Sequence, residues 1–209
     1  MTRPKKDQIR MVHTIGHSTH DIDRFIALLW MHQINAVGDV RSQPYSRYQP
    51  HFNQDVLKRE LKNSGISYVF LGEELGARSD DPKCYIGDQV SYAKLAQTPV
   101  FQGGLDRIAS GIKSHNLALM CAEKEPLECH RTILIARYLE QRGLTVAHIL
   151  ADGTIEAHKD SIARLIEDLK ISKTPDMFNP ASPDEQGYAE QEKKIAYRRN
   201  HDNATDGSP

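Results

Sequence analysis

The sequence predicts a three-layer α/β/α domain built on a mostly parallel sheet of about five strands. Five short apolar runs, rich in β-branched residues, alternate with stretches whose apolar residues recur at the helical period. Strands separated by helices pair in parallel through right-handed crossovers. These runs are apolar at nearly every position, the pattern of strands covered on both faces.

The first run, Met11 to Ile15, is closed by Gly16, His17 and Ser18. The helix behind it carries Ile22, Phe25, Ile26 and Leu29 on one face, with Ser18 or Thr19 as N-cap. Ala36 to Val40 is the second run, leading into Arg41-Ser42-Gln43-Pro44, where proline stops the ladder. A helix from about Asn53 carries Val56, Leu57 and Leu61 and stops at Gly65, before the third run, Ile66 to Leu71. Residues 72–90 read as a long polar loop with Gly72, Gly76, Pro82 and Gly87, and loops of that length in compact domains carry function or motion. A helix bearing Phe101, Leu105, Ile108 and Ile112 leads to Leu117–Cys121, the fourth run. A helix from about Cys129 to Arg142 leads to the fifth, Leu144 to Ile149, and a last helix carries Ile162, Leu165, Ile166 and Leu169.

This gives an N-terminal extension over 1–10, a single domain over 11–172 and a tail over 173–209. In the tail Pro, Asp, Glu, Lys and Asn displace apolar residues, so it reads as disordered, with Tyr188–Asn200 able to form a helix on a protein partner. A chain of 209 residues buries enough surface to fold without disulfide or metal staples. The net charge of −1 and a pI near 6.8 exclude a global attraction to nucleic acid or anionic membrane and leave only local patches. No apolar run approaches the ~18 residues of a membrane span. The charged N-terminus has no apolar region of signal-peptide type behind it, and three cysteines make no secreted framework. A cytoplasmic protein with reduced thiols and no membrane contact is expected.

In a parallel α/β sheet, ligands bind beyond the carboxyl ends of the strands, and the polar residues gather there. The first run delivers His17 and Ser18, the second Asp39, Arg41 and Ser42, and the fourth Cys121 and Glu123, followed by Cys129, His130 and Arg131. Cys129 falls at a helix start, where free N–H groups, His130 and Arg131 would lower a thiol pKa. The same groups would instead hold a phosphate or carboxylate, with Arg131 in bidentate contact. Cys121, Cys129 and His130, with His17, are also the donors of a zinc or iron site. Against that stand a seven-residue gap without zinc-ribbon spacing and the adjacency of Cys129 and His130, whose side chains would diverge. Asp39 and Arg41 share one side of an extended strand, as a substrate-binding pair or a local ion pair. His17 is a candidate general base or a loop residue. Tyr45, Arg47, Tyr48, His51 and Phe52 make an aromatic, basic loop suited to a nucleobase or to packing. Cys84 is incidental.

Thr14-Ile15-Gly16-His17-Ser18, Asp39-Val40-Arg41-Ser42 with Pro44, Leu71-Gly72 with Leu75-Gly76, Cys121-Ala122-Glu123 through Pro126 to Cys129-His130-Arg131, and Val146-Ala147-His148-Ile149 with Asp152-Gly153 form one pattern. Over residues 12–155 it resembles the domain-of-unknown-function family numbered 488, with Ala77 where that family often has a further glycine. The resemblance implies a shared site and supplies no substrate, cofactor or reaction. The expectation is an enzyme with Cys129 or Cys121 as nucleophile, His17 or His130 as acid/base with Glu123, and Arg41, Arg131, Asp39, Ser18 and Ser42 holding an anionic small molecule or nucleic-acid end. The alternatives are a non-catalytic binding module with structural cysteines, and a Cys/His metal site.

Overall fold

A computed structural model describes residues 11–172 and 180–199. The expected extension over 1–10 lies outside the described residues.

In chain order the elements are β1 (Met11–Gly16), α1 (Ile22–Met31), β2 (Ala36–Asp39), α2 (Gln54–Asn63), β3 (Ser67–Phe70), α3 (Gly72–Leu75), β4 (Tyr85–Ile86), β5 (Gln89–Val90), α4 (Tyr92–Ala96) and α5 (Pro99–Gly111). Then come β6 (Leu117–Cys121), a π-helical turn over Arg131–Ala136 running into α6 (Arg137–Gln141), β7 (Thr145–Ile149), β8 (Ile155–Ala157), α7 (His158–Asp168) and α8 (Pro183–Ile195). The main sheet has six strands in the order β3-β2-β6-β1-β7-β8, parallel throughout except for β7–β8. It is the expected three-layer arrangement plus one short antiparallel edge strand.

Period-two alternation divides each central strand between two cores. On β6, Ala118 and Met120 join the cluster under α1 and α2, with Phe25, Leu29, Leu57 and Leu61. Leu117, Leu119 and Cys121 join the cluster on the other face, with Leu105, Ile108, Leu134 and Leu165. Parallel pairing puts the ends of β1, β2 and β6 on one edge, with Gly16 opposite Cys121 and Asp39 opposite Met120. The chain after β6 crosses back over β1. Gly16 lets it pass, because a Cβ there would run into the backbone carbonyl of Glu123 and lie 3.2 Å from Arg131 Nη1. Gly16→Ala is therefore expected to cost about 1–3 kcal/mol. A fall in the urea midpoint at unchanged slope would report it, and a wild-type midpoint would contradict it.

Several local expectations are corrected. The cap of α1 is Asp21, whose Oδ1 accepts the Arg24 N–H at 2.6 Å; Ser18 instead adopts φ 51° and gives its N–H to Ala122 O at 2.9 Å. The helix expected from Cys129 begins at Arg131, because Cys129 is extended (φ −133°, ψ 142°). Residues 72–90 contain α3, a 3-10 turn at Pro82–Cys84 and the β4–β5 hairpin, elements too short to show a period.

The tail expectation also changes. Ser182 and Glu185 form a reciprocal capping box with Pro183 at the first helical position, and they start α8. This helix docks on its own domain. Tyr188 and Gln191 are buried, and Gln191 Nε2 donates to Leu127 O at 2.9 Å. Beyond it the strap returns to the hairpin, with Val90 N–H donating to Tyr197 O and Arg199 N–H to Asp88 O, both at 2.9 Å. Residues 173–179 and 200–209 of the expected tail lie outside the described residues. No helix among the described residues is long and apolar enough to cross a membrane.

Candidate functional site

The segment from Cys121 to Arg131 leaves β6, turns through a 3-10 helix at Pro126–Glu128 and returns to the start of the π-helical turn. Arg131 fastens it. Its guanidinium is fully buried, and Nη1 donates to Glu123 O at 2.6 Å while Nη2 donates to Lys124 O at 3.2 Å. Those bonds fold the loop onto its own helix, while the buried Nε has no hydrogen-bond partner among the described residues.

The fold thereby brings four reactive groups together. His130 Nδ1 lies 3.7 Å from both Cys121 Sγ and Cys129 Sγ. Cys129 Sγ lies 2.9 Å from Glu123 Oε2, and the Arg131 backbone N–H points at the same sulfur from 3.5 Å. The donor atoms of Cys121, Cys129 and His130 all fall within 4.8 Å of one another. His130 Nε2 meets Val40 O at 3.1 Å; a carbonyl only accepts, so Nε2 carries a proton and Nδ1 is the nitrogen turned to the sulfurs. The argument that Cys129 and His130 would diverge is therefore corrected. An extended Cys129 followed by a helical His130 (φ −60°, ψ −24°) swings both side chains to one side.

These groups are buried, and they act on one another. The hydrogen bond with Cys129, and then burial, push the Cys121 thiol well above its ordinary range. Burial also opposes ionisation of Cys129, but the Cys121 thiol, the charge of Arg131 and His130 outweigh it and hold Cys129 well below the usual thiol range. Burial disfavours the His130 cation, yet the Cys129 charge and hydrogen bond raise its pKa. Burial first, then the charge of Cys129, raises that of Glu123.

A cavity of about 330 Å³ opens on Cys121, Glu123, Cys129 and His130. Its walls include Arg41, Ser42, Gln43, Tyr45, Tyr92 and Tyr197. Arg41 is already committed to Asp39: Nε meets Oδ1 at 2.9 Å and Nη2 meets Oδ2 at 2.7 Å, with Tyr68 OH on Oδ2 at 2.9 Å. The expected local ion pair is thus present, and Arg41 also lines the cavity. His17 lies behind Arg41 and is not among the residues lining this cavity. Its Nδ1 donates to Ser18 O at 2.9 Å, its Nε2 faces Arg41 Nη1 at 3.3 Å, and its ring stacks on Phe52 with centroids 4.2 Å apart. Burial, then Arg41, lowers its pKa to about 4. With both nitrogens engaged, it holds Arg41 and is poorly placed as a base. Ser42 Oγ accepts the Arg78 N–H at 3.1 Å and lines the cavity, whereas Ser18 contributes a backbone N–H to the loop crossing. Cys84 is buried in the core beside Leu75 and Val90.

Reasoning from sequence found Cys121, Glu123, Cys129 and His130 and missed Gln43, Arg78, Tyr92 and Tyr197. The missed residues come from four separate loops and element ends and carry no motif. No curated protein matches the chain, and no solved structure matches it. The model of the family described as Domain of unknown function DUF488 matches residues 21–139. That range takes in Asp39–Pro44, Leu71–Gly76 and the whole Cys121–Arg131 loop, and it leaves α7 and α8 outside. Matched over more than half of its length, and with the Cys121–Arg131 loop inside the match, the chain belongs to the DUF488 family.

Proposed function

We propose that the protein is a metal-dependent enzyme whose thiophilic divalent cation, zinc in the first place, is held by Cys121, Cys129 and His130. One observation carries this reading: two sulfurs and an imidazole Nδ1 converge, with both S···N separations at 3.7 Å. Around tetrahedral zinc, bonds of ~2.3 Å to sulfur and ~2.0 Å to nitrogen give an S···N edge of about 3.5 Å, so the donors stand close to coordination distance. The surroundings support it. His130 Nε2–H is anchored on the Val40 carbonyl, the usual outer partner of a ligating imidazole, and the Arg131 N–H supports the Cys129 sulfur.

Three protein ligands leave a fourth position, the arrangement of catalytic rather than structural zinc. Cys121, Cys129 and His130 all line the cavity, so a metal held by them would polarise a substrate there or activate water. Glu123 stands against Cys129 as the proton carrier, the role of the non-ligating glutamate beside His/Cys/Cys zinc in deaminases. The reaction class is hydrolytic attack on a polar small molecule.

Metal-free protein titrated with zinc against a chromophoric chelator is expected to take up one equivalent. Cobalt should give the intense visible bands of tetrahedral thiolate coordination. Cys129→Ser and His130→Ala should each weaken binding by roughly a hundredfold or more. Absence of stoichiometric binding, together with rapid alkylation of Cys129 at neutral pH, would replace this reading with covalent catalysis by the thiolate. Neither metal binding nor thiol reactivity would leave a non-catalytic module with structural cysteines.

A further inference from the structure

Two cavities meet at the site. The inner one, over the cysteine cluster, adjoins an outer one of about 690 Å³, and both are lined by Ser42, Gln43, Arg78 and Tyr197. Two arginines line the inner cavity. Arg41 spends its fork on Asp39 and on Phe52 O, at 2.8 Å. Arg78 differs: among the described residues no carboxylate pairs with it, and its guanidinium lies over the Tyr197 ring, 4.6 Å from the centroid. Stacking occupies the face of a guanidinium and leaves its edge donors free for a planar anion.

Both members of this stack are held in place by backbone bonds. The Arg78 N–H is fixed on Ser42 Oγ, and the Tyr197 carbonyl accepts the Val90 N–H. Tyr197 also lies in the strap after α8, beyond the part of the chain that matches the family. The other arginine of the outer cavity, Arg199, lies over the Tyr85 ring 3.8 Å from its centroid and gives its Nη2 to Ser79 O and Asp80 O, among the carboxylates Glu73, Glu74, Asp80 and Asp81 that line the same cavity.

We infer that Arg78, seated on Tyr197, receives the anionic group of the substrate, a carboxylate or a phosphate, and so sets which molecules reach the cysteine cluster. This rests on the cluster being the reactive centre, and it moves the anion contact from Arg41 and Arg131 to Arg78. Substrate enters along the junction of the cavities and places its reacting end over Cys121, Cys129 and His130.

Two alkylating agents of nearly equal size, one charged and one neutral, test it on the metal-free full-length chain. Iodoacetate is anionic and iodoacetamide neutral; in each, a thiolate sulfur bonds to the methylene carbon as the C–I bond breaks and iodide leaves to solvent, giving a mass-resolved adduct on Cys121 or Cys129. The readout is the ratio of the two rates at these thiols. Arg78→Met is expected to lower the ratio about fivefold, and Arg78→Lys to retain most of it, since lysine keeps the charge. The wild-type ratio should fall toward the Arg78→Met value as salt is raised. Tyr197→Ala should lower it in the same direction by releasing the guanidinium.

An equal ratio in wild type and Arg78→Met would overturn the inference. Failure of both reagents to reach either thiol would also overturn it, because the passage would then not lead to the cluster. Zinc titration of Arg78→Met is read separately. Wild-type affinity there with a changed ratio supports both readings. Loss of zinc binding in the wild type with the charge preference intact removes the metal reading and leaves Arg78 its role.

Discussion

Asp39→Ala is expected to cost about 3–5 kcal/mol, because it strands a buried cation. Asp39 is fully buried, and Arg41 is only 6 % exposed. The carboxylate accepts from Arg41 N–H at 3.1 Å and Nε at 2.9 Å on one oxygen, and from Nη2 at 2.7 Å and Tyr68 OH at 2.9 Å on the other. Alanine would leave the guanidinium with Phe52 O and His17 Nε2 alone, neither of which carries compensating charge. For a chain of this size that loss lowers the melting temperature by roughly 6–20 °C. The damage would extend to the site, since Val40, between the pair, supplies the carbonyl that orients His130. Replacing both partners, as Asp39→Leu with Arg41→Met, should recover most of the loss, because no charge then remains unpaired. A single Asp39→Ala variant within 1 kcal/mol of wild type by urea denaturation would show that the pair is a local accident.

The second large effect is loss of stability in acid. Thr14 Oγ1, His148, His158 and Tyr188 OH form a buried chain of hydrogen bonds with successive separations of 2.7, 3.0 and 2.7 Å. A neutral imidazole has one donor and one acceptor nitrogen, which suits each link, and a protonated one has no acceptor. Burial lowers the pKa of His158 to about 4; burial, then the charge of His158, holds His148 well below the ordinary range. A histidine whose folded pKa lies below its unfolded value of about 6.5 stabilises the protein fully above that value. The contribution is lost as pH falls toward 4. From pH 7 to pH 5 His158 alone accounts for about 2 kcal/mol, and His148 and His17 act in the same direction. Because Tyr188 belongs to α8, amide exchange in that helix should accelerate before the sheet opens. His158→Gln, which keeps a polar side chain and does not titrate, should flatten the pH dependence between 7 and 5. An unchanged slope in that variant would mean that other groups govern acid unfolding.

The parallel sheet was legible because its signal is local and repeated. Leu117–Cys121 and the other central runs are apolar on both faces, and each is followed by a helix of period 3.6, so burial left few alternatives. Strand polarity then placed Asp39, Arg41, Cys121 and Glu123 on one edge without any knowledge of contacts. The start of α8 was also written locally, in the capping box of Ser182 and Glu185 with Pro183. Its docking was not, because that depends on Tyr188 meeting His158, thirty positions earlier in the chain.

The site shows the same division. Residue types in the Cys121–Arg131 loop announced thiol and imidazole chemistry, but neither their spacing nor their adjacency said whether they converge. Convergence is decided by a buried Arg131 that ties the loop to its own helix, by Gly16 making room for the crossing, and by the Val40 carbonyl turning His130. The arginines divide in the same way. Sequence singles out Arg41 and Arg131 as the cations and passes over Arg78; only packing pairs Arg41 with Asp39, turns Arg131 to backbone carbonyls and leaves Arg78 lining both cavities. A charge is free or spent according to what lies within hydrogen-bond reach, and those neighbours come from distant parts of the chain.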